Sequence, residues 1–218
     1  MTRNFDLIAF DWDGTLFDST AIIARSIQAA VRDVGGTEPT LEQASFVIGM
    51  GLKQALAHAA PDVPESLHAQ LGDRYRHHYF AAQDDISMFA GVLELLADLR
   101  SRGFLLTVAT GKSRRGLDAA LSTQSLVGLF DASRTADETA GKPDPRMLFE
   151  LMDQFQVSPE RTLMIGDTTH DLLMAARAGC ASVGVSYGAH DGAAFAELLP
   201  RFVAHSVSDL HRWMLAHA

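Results

Sequence analysis

Near its start the chain contains LIAF at residues 7–10, followed at once by DWDGTLFD at residues 11–18. Four apolar residues bounded by an acid are too few for an independent helix, and they predict a buried strand. Asp11 and Asp13 follow that strand, where two carboxylates are costly to bury unless a cation pairs with them. One of them could attack phosphorus as a nucleophile while the other transfers protons. The simpler alternative is that Asp and Gly only form the turn that ends the strand.

Short apolar segments of the same kind recur at residues 104–109, 162–165, 182–185 and 202–204. Segments typical of helices lie between the later ones, for example at residues 92–100, 114–121, 146–155 and 172–178. This alternation predicts an α/β fold in which a Rossmann-like parallel sheet is covered by helices on both faces. Active sites in such sheets lie beyond the carboxyl ends of the strands, so the residues that follow each strand are the candidates for function.

Residues 19–86 interrupt this alternation, because no strand pattern appears in them. Apolar residues between positions 22 and 34 form one helical stripe. A second stripe has spacings of four and consists of Leu67, Leu71, Tyr75 and Tyr79. Two shorter helices are predicted at residues 41–48 and 52–60, separated by Gly49-Met50-Gly51. The pattern predicts a small helical insert between the first strand and the rest of the sheet.

The composition restricts the partners and the location of the protein. Of 218 residues, 18 are Lys or Arg and 27 are Asp or Glu, giving a net charge of −9 at pH 7. This acidic balance disfavours generic binding to nucleic acid or to anionic membranes. The single cysteine, Cys180, cannot form an internal disulfide, which favours a reducing compartment. No apolar run reaches the roughly 7–15 residues of a signal peptide or the about 20 of a membrane span. We therefore expect a cytoplasmic protein.

Two further motifs carry groups that can bind phosphate. Thr110 and Gly111 follow the strand at 104–109, where a hydroxyl and exposed amides precede a helix that begins near Arg114. Lys142 lies in GKPDP at residues 141–145, where prolines restrict the backbone before a helix that begins at Arg146. A rigidly held ammonium can neutralise a phosphoryl group or orient a carboxylate. Taken singly, Thr110 and Gly111 could simply cap a helix, and Lys142 could be an exposed turn residue.

The fourth motif is GDTTHD at residues 166–171, directly after the strand at 162–165. Asp167 and Asp171 supply the hard oxygen ligands that Mg²⁺ prefers. Asp167 would be a ligand, whereas Asp171 could cap the helix or support the ligands from behind. We expect His170 to face solvent. The four motifs together place acids, a hydroxyl and a lysine beyond three strand ends and one loop of a single sheet, which chance would seldom produce.

In this order the four motifs resemble those of the haloacid dehalogenase superfamily over nearly the whole chain. The matching segments are DWDGTLFDS at 11–19, VATGK at 108–112, GKPDP at 141–145 and GDTTHD at 166–171. The resemblance implies an α/β core formed by residues 1–18 and 87–218, with an all-helical cap formed by residues 19–86. The cap is similar to that of the subfamily that contains phosphoglycolate phosphatases, pyrophosphatases and β-phosphoglucomutases.

By this resemblance Asp11 is the nucleophile that accepts the phosphoryl group. Asp13 would protonate the leaving oxygen and then activate water against the aspartyl-phosphate. Mg²⁺ would be held by the Asp11 carboxylate, the main-chain carbonyl of Asp13 and Asp167. Superfamily members that are dehalogenases or phosphonatases lack an acid at the position of Asp13, so those two reactions are not expected here.

The remaining site residues are also implied by the resemblance. Thr110 and the amide of Gly111 would hold the phosphate, Lys142 would neutralise it, and Asp171 would position Lys142 or a water on the metal. Many phosphoglycolate phosphatases have Asn where this chain has Gly111. In the cap loop, Lys53 would suit a substrate carboxylate or a second phosphate, although an ordinary helix–helix turn with a solvated lysine is an equal alternative.

The sequence thus predicts a Mg²⁺-dependent phosphatase that hydrolyses a small phosphorylated metabolite, similar to phosphoglycolate. A sugar phosphomutase or a pyrophosphatase on the same scaffold is the alternative, and a non-catalytic phosphate sensor is disfavoured because all the motif acids and Lys142 are present. A monomer or a homodimer is expected.

Overall fold

The computed structural model describes residues 4–123 and 125–218, so the first three residues of the predicted core segment 1–18 and residue 124 of its second segment lie outside it. The strands are β1 (Leu7–Phe10), β2 (Phe17–Asp18), β3 (Ser87–Met88), β4 (Leu105–Thr110), β5 (Ala132–Thr135), β6 (Thr162–Gly166), β7 (Ala181–Val185) and β8 (Phe202–Ala204). The helices are α1 (Thr20–Asp33), α2 (Leu41–Phe46), α3 (Leu52–Ala59), α4 (His68–Ala82), α5 (Val92–Ser101), α6 (Arg114–Leu121), α7 (Arg146–Phe155), α8 (Thr169–Ala178) and α9 (Val207–His217).

Six of the strands form one parallel sheet in the order β5-β4-β1-β6-β7-β8. The first strand lies inside this sheet, and Phe10 at its end is in register with Val108 of β4 and with Ile165 of β6. The carboxyl ends of β1, β4 and β6 are therefore neighbours, and the residues that follow them meet at one edge. The predicted parallel α/β fold is confirmed.

Helices cover both faces of the sheet, because each strand exposes apolar side chains alternately to either side. On one face Ile8, Phe10 and Leu106 pack with α5 and α9. On the other face Leu7 and Ala9 pack with α7 and α8. Burial on both faces explains why these strands are short continuous apolar runs rather than alternating ones.

Strand β5 was not predicted, because its sequence is Ala-Ser-Arg-Thr. It lies at the edge of the sheet, where one side is free and polar residues are tolerated. Arg134 in this strand forms an ion pair with Glu150 of α7, with Nε 2.7 Å from Oε2. An edge strand of this kind lacks the apolar run by which buried strands are recognised.

Helices α1 to α4 have an apolar core of their own, to which Ile27, Val31, Leu56 and Leu71 contribute. Just outside the two ends of this segment, β2 and β3 pair antiparallel in a short ribbon. On this basis we propose residues 19–86 as the cap domain. Among the residues that the structure describes, no helix combines the length and the apolarity needed to cross a membrane.

Candidate active site

The centre of the site is a buried ion-pair network at the carboxyl edge of the sheet. Lys142 is completely buried, and its Nζ lies 2.6 Å from Oδ1 of Asp11 and 2.6 Å from Oδ1 of Asp171. The first carboxylate follows β1 and the second lies in the first turn of α8. One lysine thus joins the first and fourth motifs.

Burial and charge act against each other on these groups. Burial raises the pKa of Asp11 to about 7, although the neighbouring Lys142 ammonium lowers it. Burial alone would lower the pKa of Lys142, but the carboxylates of Asp11 and Asp171 outweigh it and raise that pKa. The lysine therefore remains charged and stabilises the ionised form of the carboxylate beside it.

Asp167 joins the same cluster from the end of β6. Thr15 Oγ1 donates a hydrogen bond of 3.0 Å to its Oδ1, and the amide of Ala189 donates one of 2.7 Å to its Oδ2. Burial, followed by the charges of Asp11 and Asp171, raises the pKa of Asp167 well above its usual range. Neither Thr15 nor Ala189 is among the site residues predicted from the sequence.

This cluster has the properties of a cation site. Carboxylate oxygens of Asp11, Asp167 and Asp171 all lie within 4.8 Å of one another, and all three side chains are buried. Oδ2 of Asp11 is buried, yet it has no hydrogen-bond partner among the residues that the structure describes. Three carboxylates facing a single ammonium leave a deficit of positive charge that a divalent ion with oxygen ligands would offset. The donor set therefore fits Mg²⁺.

Asp171 also forms the cap of its helix. Its Oδ2 accepts hydrogen bonds from the amide of Thr168, at 3.1 Å, and from the hydroxyl of Thr168, at 2.7 Å. Oδ1 of the same side chain pairs with Lys142, so Asp171 contributes to the capping box of α8 and contacts the buried lysine at the same time.

Asp13 occupies a different environment from Asp11. Its Oδ1 accepts a hydrogen bond of 2.7 Å from Ser19 Oγ and lies 3.1 Å from Lys112 Nζ. Lys112 also donates a hydrogen bond of 3.0 Å to the hydroxyl of Tyr79, and its Nζ is 5.1 Å from the centre of that ring. Trp12 between the two acids packs into the core and stacks on Phe17, with 4.7 Å between ring centres.

Lys112 and Tyr79 are residues that sequence reasoning missed. Lys112 directly follows Thr110 and Gly111 in the second motif, which is the signal that could have revealed it. Tyr79 belongs to an apolar stripe of a helix and was interpreted as packing alone. Burial alone lowers the pKa of Lys112, but the Asp13 carboxylate and the Tyr79 hydroxyl raise it overall, so the lysine is charged.

The phosphate-binding loop predicted after β4 lies against residues 49–51 of the helical segment, here called the glycine loop. Thr110 is buried, and its Oγ1 accepts a hydrogen bond of 3.2 Å from the amide of Lys112. A Cβ atom added to Gly111 would collide with the carbonyl oxygens of Gly49 and Met50, the former at 2.6 Å. Glycine at position 111 therefore permits a backbone approach that a larger residue would prevent.

A cavity of about 1080 Å³ lies between the helical segment and the sheet edge. From the core it is lined by the two acids of the first motif and by the loop after β4; from the helical segment it is lined by the glycine loop and by Tyr75 and Tyr79. Lys53 also lines this cavity, but it is exposed at the surface, unlike Lys112. The structure thus brings together the site residues predicted at the sheet edge and leaves Lys53 at the periphery of the cavity.

The expectation that His170 faces solvent is wrong. His170 is 6% exposed, and its Nε2 lies 2.8 Å from the carbonyl oxygen of Phe46 in α2. His190 Nε2 reaches the same oxygen at 3.0 Å, and its ring stacks on that of Phe46. The face of α8 that carries His170 is covered by the end of α2, which the sequence spacing of α8 alone does not reveal.

Comparison with known proteins agrees with this geometry. A family model described as haloacid dehalogenase-like hydrolase matches residues 8–185. A phosphoglycolate phosphatase from Vibrio vulnificus (strain CMCP6) is 34% identical, with 95% of each chain covered. A probable phosphatase, IndB, from Dickeya dadantii (strain 3937) is 33% identical, with 94% of this chain and 91% of that one covered.

Among solved structures, one of a predicted phosphoglycolate phosphatase from Haemophilus somnus 129pt superimposes with a TM-score of 0.84. That protein is 26% identical, and the superposition covers 97% of this chain and 99% of the other. The predicted enzyme class, a phosphoric monoester hydrolase, is confirmed by these relatives. The chain belongs to the haloacid dehalogenase-like hydrolase family.

Proposed function

We propose that this protein is a Mg²⁺-dependent phosphatase that hydrolyses a small phosphomonoester, similar to phosphoglycolate, through an aspartyl-phosphate on Asp11. The observation that carries the proposal is the buried Asp11 carboxylate, which pairs with Lys142 at 2.6 Å and also lines the cavity. A nucleophile that is held by a cation and open to a substrate-sized space is suited to covalent phosphoryl transfer. The name of the Vibrio vulnificus relative supports the choice of substrate class.

Binding of the phosphate is assigned to groups at the sheet edge. Thr110 and the amide of Gly111 would hold its oxygens, and Lys142 would neutralise its charge. Asp11, Asp167 and the main-chain carbonyl of Asp13 would hold Mg²⁺, and Asp171 would keep Lys142 in place. When bound, the metal supplies positive charge that reduces repulsion between an anionic nucleophile and an anionic substrate.

The reaction has two steps. In the first, a carboxylate oxygen of Asp11 attacks phosphorus while the bond from phosphorus to the ester oxygen breaks, and Asp13 gives its proton to that leaving oxygen. In the second, Asp13 takes a proton from water as the water oxygen attacks phosphorus, and the bond to Asp11 breaks. The products are the alcohol and inorganic phosphate, and both aspartates return to their starting state.

Substrate selection is assigned to the cap side of the cavity. Lys53 lies at its rim, where a flexible ammonium could reach the carboxylate of a phosphoglycolate-like substrate. The proposal includes a cytoplasmic location and a monomeric or homodimeric state.

The test is phosphate release with and without Mg²⁺ across 2-phosphoglycolate, sugar phosphates, nucleotides and pyrophosphate. We expect wild type to release phosphate from a monoester, Asp11→Asn to release none, and Asp84→Asn, at an exposed acid, to match wild type. Equal activity of Asp11→Asn and wild type would contradict the proposal. Turnover of a sugar phosphate only with added sugar bisphosphate, without phosphate release, would instead identify a mutase.

A further inference from the structure

Lys112 connects the helical segment to the acid that transfers protons. It lies in the loop after β4, whereas Tyr79 lies near the end of α4, and the two meet at 3.0 Å between Nζ and the phenol oxygen. On its other side Lys112 Nζ is 3.1 Å from Asp13 Oδ1, and its side chain is only 14% exposed. One ammonium therefore contacts the cap and the acid at the same time.

The two side-chain donors that the structure describes at Asp13 meet the same carboxylate oxygen. Within residues 4–123 and 125–218, both donors to this carboxylate, Ser19 and Lys112, meet Oδ1. A carboxylate fixed through Oδ1 has its orientation set, and Oδ2 is left to exchange a proton with a group in the cavity that Asp13 lines. Ser19 begins the helical segment and Lys112 belongs to the core, so the carboxylate is held from both sides.

Lys112 has further contacts besides Asp13. A lysine side chain is long and flexible, and the conformational entropy lost by fixing it has to be offset by such contacts. Tyr79 supplies two, since its hydroxyl accepts the hydrogen bond and its ring face lies 5.1 Å from the ammonium. Tyr75 stacks on Tyr79 with 5.8 Å between ring centres and supports it from the same helix.

We propose that Lys112 and Tyr79 are positioning residues that orient the Asp13 carboxylate for proton transfer, and that they do so only while α4 is seated over the core. The inference rests on the proposed function, because it assigns these residues to the proton-transfer step of that reaction. It makes Tyr79 the residue through which the cap acts on the chemistry.

Two substrates of nearly equal shape separate proton transfer from binding. 4-Nitrophenyl phosphate releases a weakly basic phenoxide that needs little protonation, whereas 4-nitrobenzyl phosphate releases a strongly basic alkoxide that needs an acid. The value of kcat/KM for each reports transfer to Asp11, including departure of the leaving group. Neither substrate has a carboxylate. If Lys112 only bound a substrate carboxylate, its loss would therefore leave the ratio of the two kcat/KM values unchanged.

The experiment measures kcat/KM for both substrates in wild type, Lys112→Met and Tyr79→Phe. We expect Lys112→Met to lower the value for 4-nitrobenzyl phosphate by about 10- to 100-fold and that for 4-nitrophenyl phosphate by less than about threefold. Tyr79→Phe retains the ring and loses one oxygen, so a smaller change in the same direction is expected. Arg115→Met removes a neighbouring exposed charge that lies outside the cavity lining and should leave the ratio of the two values unchanged.

The ratio of the two kcat/KM values does not depend on how much of a variant is folded, so a partly unfolded preparation still gives an answer. An unchanged ratio in active Lys112→Met and Tyr79→Phe, including an equal loss of kcat/KM for both substrates, would overturn the inference. Failure of the proposed function is seen differently, as the absence of Asp11-dependent phosphate release from wild type, and that result would overturn both.

Discussion

The two walls of the cavity differ in how firmly their charged groups are held. On the core side, Asp11 lines the cavity, and Lys142 is completely buried behind it, between Asp11 and Asp171, with both distances at 2.6 Å. On the cap side, the charged residues of the lining are all exposed, namely Lys53, Glu65, Asp73 and Arg76, and the rest of that wall includes glycines, aliphatic side chains and the two tyrosines. The rigid wall is suited to one reaction on phosphorus, whereas the adaptable wall can be altered to accept different substrates.

The largest effect is expected where the core wall loses its cation. In Lys142→Met, the carboxylates of Asp11 and Asp171 remain buried without their partner, which typically costs about 3–5 kcal/mol. We expect a corresponding loss in the free energy of unfolding and a fall in kcat of about 10³-fold or more, since the phosphate is no longer neutralised. Urea denaturation and steady-state kinetics measure the two effects. Wild-type stability of this variant would contradict the account of a rigid core wall.

A second prediction concerns the metal and needs no activity assay. Mg²⁺ that binds only the folded protein at about 100 times its dissociation constant should stabilise it by about 2.7 kcal/mol. Asp167→Asn removes one charge from the cluster and should abolish most of this stabilisation, whereas Asp84→Asn should retain it. Thermal melts with and without Mg²⁺ provide the measurement. A Mg²⁺-dependent shift of equal size in Asp167→Asn would mean that the ion binds elsewhere.

A third prediction tests the place where the two walls touch. Gly111→Ala puts a methyl group against the carbonyls of Gly49 and Met50, so the cap loop has to move outward. We expect KM to rise by about tenfold with a smaller change in kcat, because the contact between the two loops weakens while the groups that react stay in place. Gly72 also lines the cavity, but in Gly72→Ala the added Cβ meets its neighbour at an ordinary 3.5 Å, and unchanged kinetics are expected. Unchanged KM in Gly111→Ala would show that the contact between the two loops does not contribute to substrate binding.

The smallest effect is expected at the rim. Lys53→Ala should raise KM for 2-phosphoglycolate by a few fold, because a solvent-exposed ion pair contributes little binding free energy. KM for 4-nitrophenyl phosphate, which has no carboxylate, should be unchanged. The matched control is Arg115→Met, which lies outside the cavity lining. An unchanged KM for both substrates would remove Lys53 from the site.

The core wall was predictable from sequence because its residues follow apolar runs that mark strand ends. Once β1, β4 and β6 are placed side by side, Asp11, Thr110 and Asp167 have to meet at one edge. The edge strand β5 escaped prediction because its residues are polar, and local sequence does not say which strand lies at an edge.

The contacts across the cavity could not be predicted in the same way. Tyr79 and Lys112 are 33 positions apart and belong to elements whose relative placement depends on how the helical segment packs. The same reason explains His170, whose helix face is covered by the end of α2 rather than by solvent. Periodicity reports which face of a helix is apolar, but it does not report which other element lies against a polar residue.

The most direct test of the central claim uses Asp13→Asn with 4-nitrophenyl phosphate and Mg²⁺. This substrate has a leaving group that departs without an acid, so phosphoryl transfer to Asp11 should proceed, while the missing base should slow its hydrolysis. Mass spectrometry of the rapidly quenched and digested protein should then find a phosphoryl group on the peptide that contains Asp11. A phosphoryl group on another residue, or steady turnover by Asp13→Asn at the wild-type rate, would contradict the account.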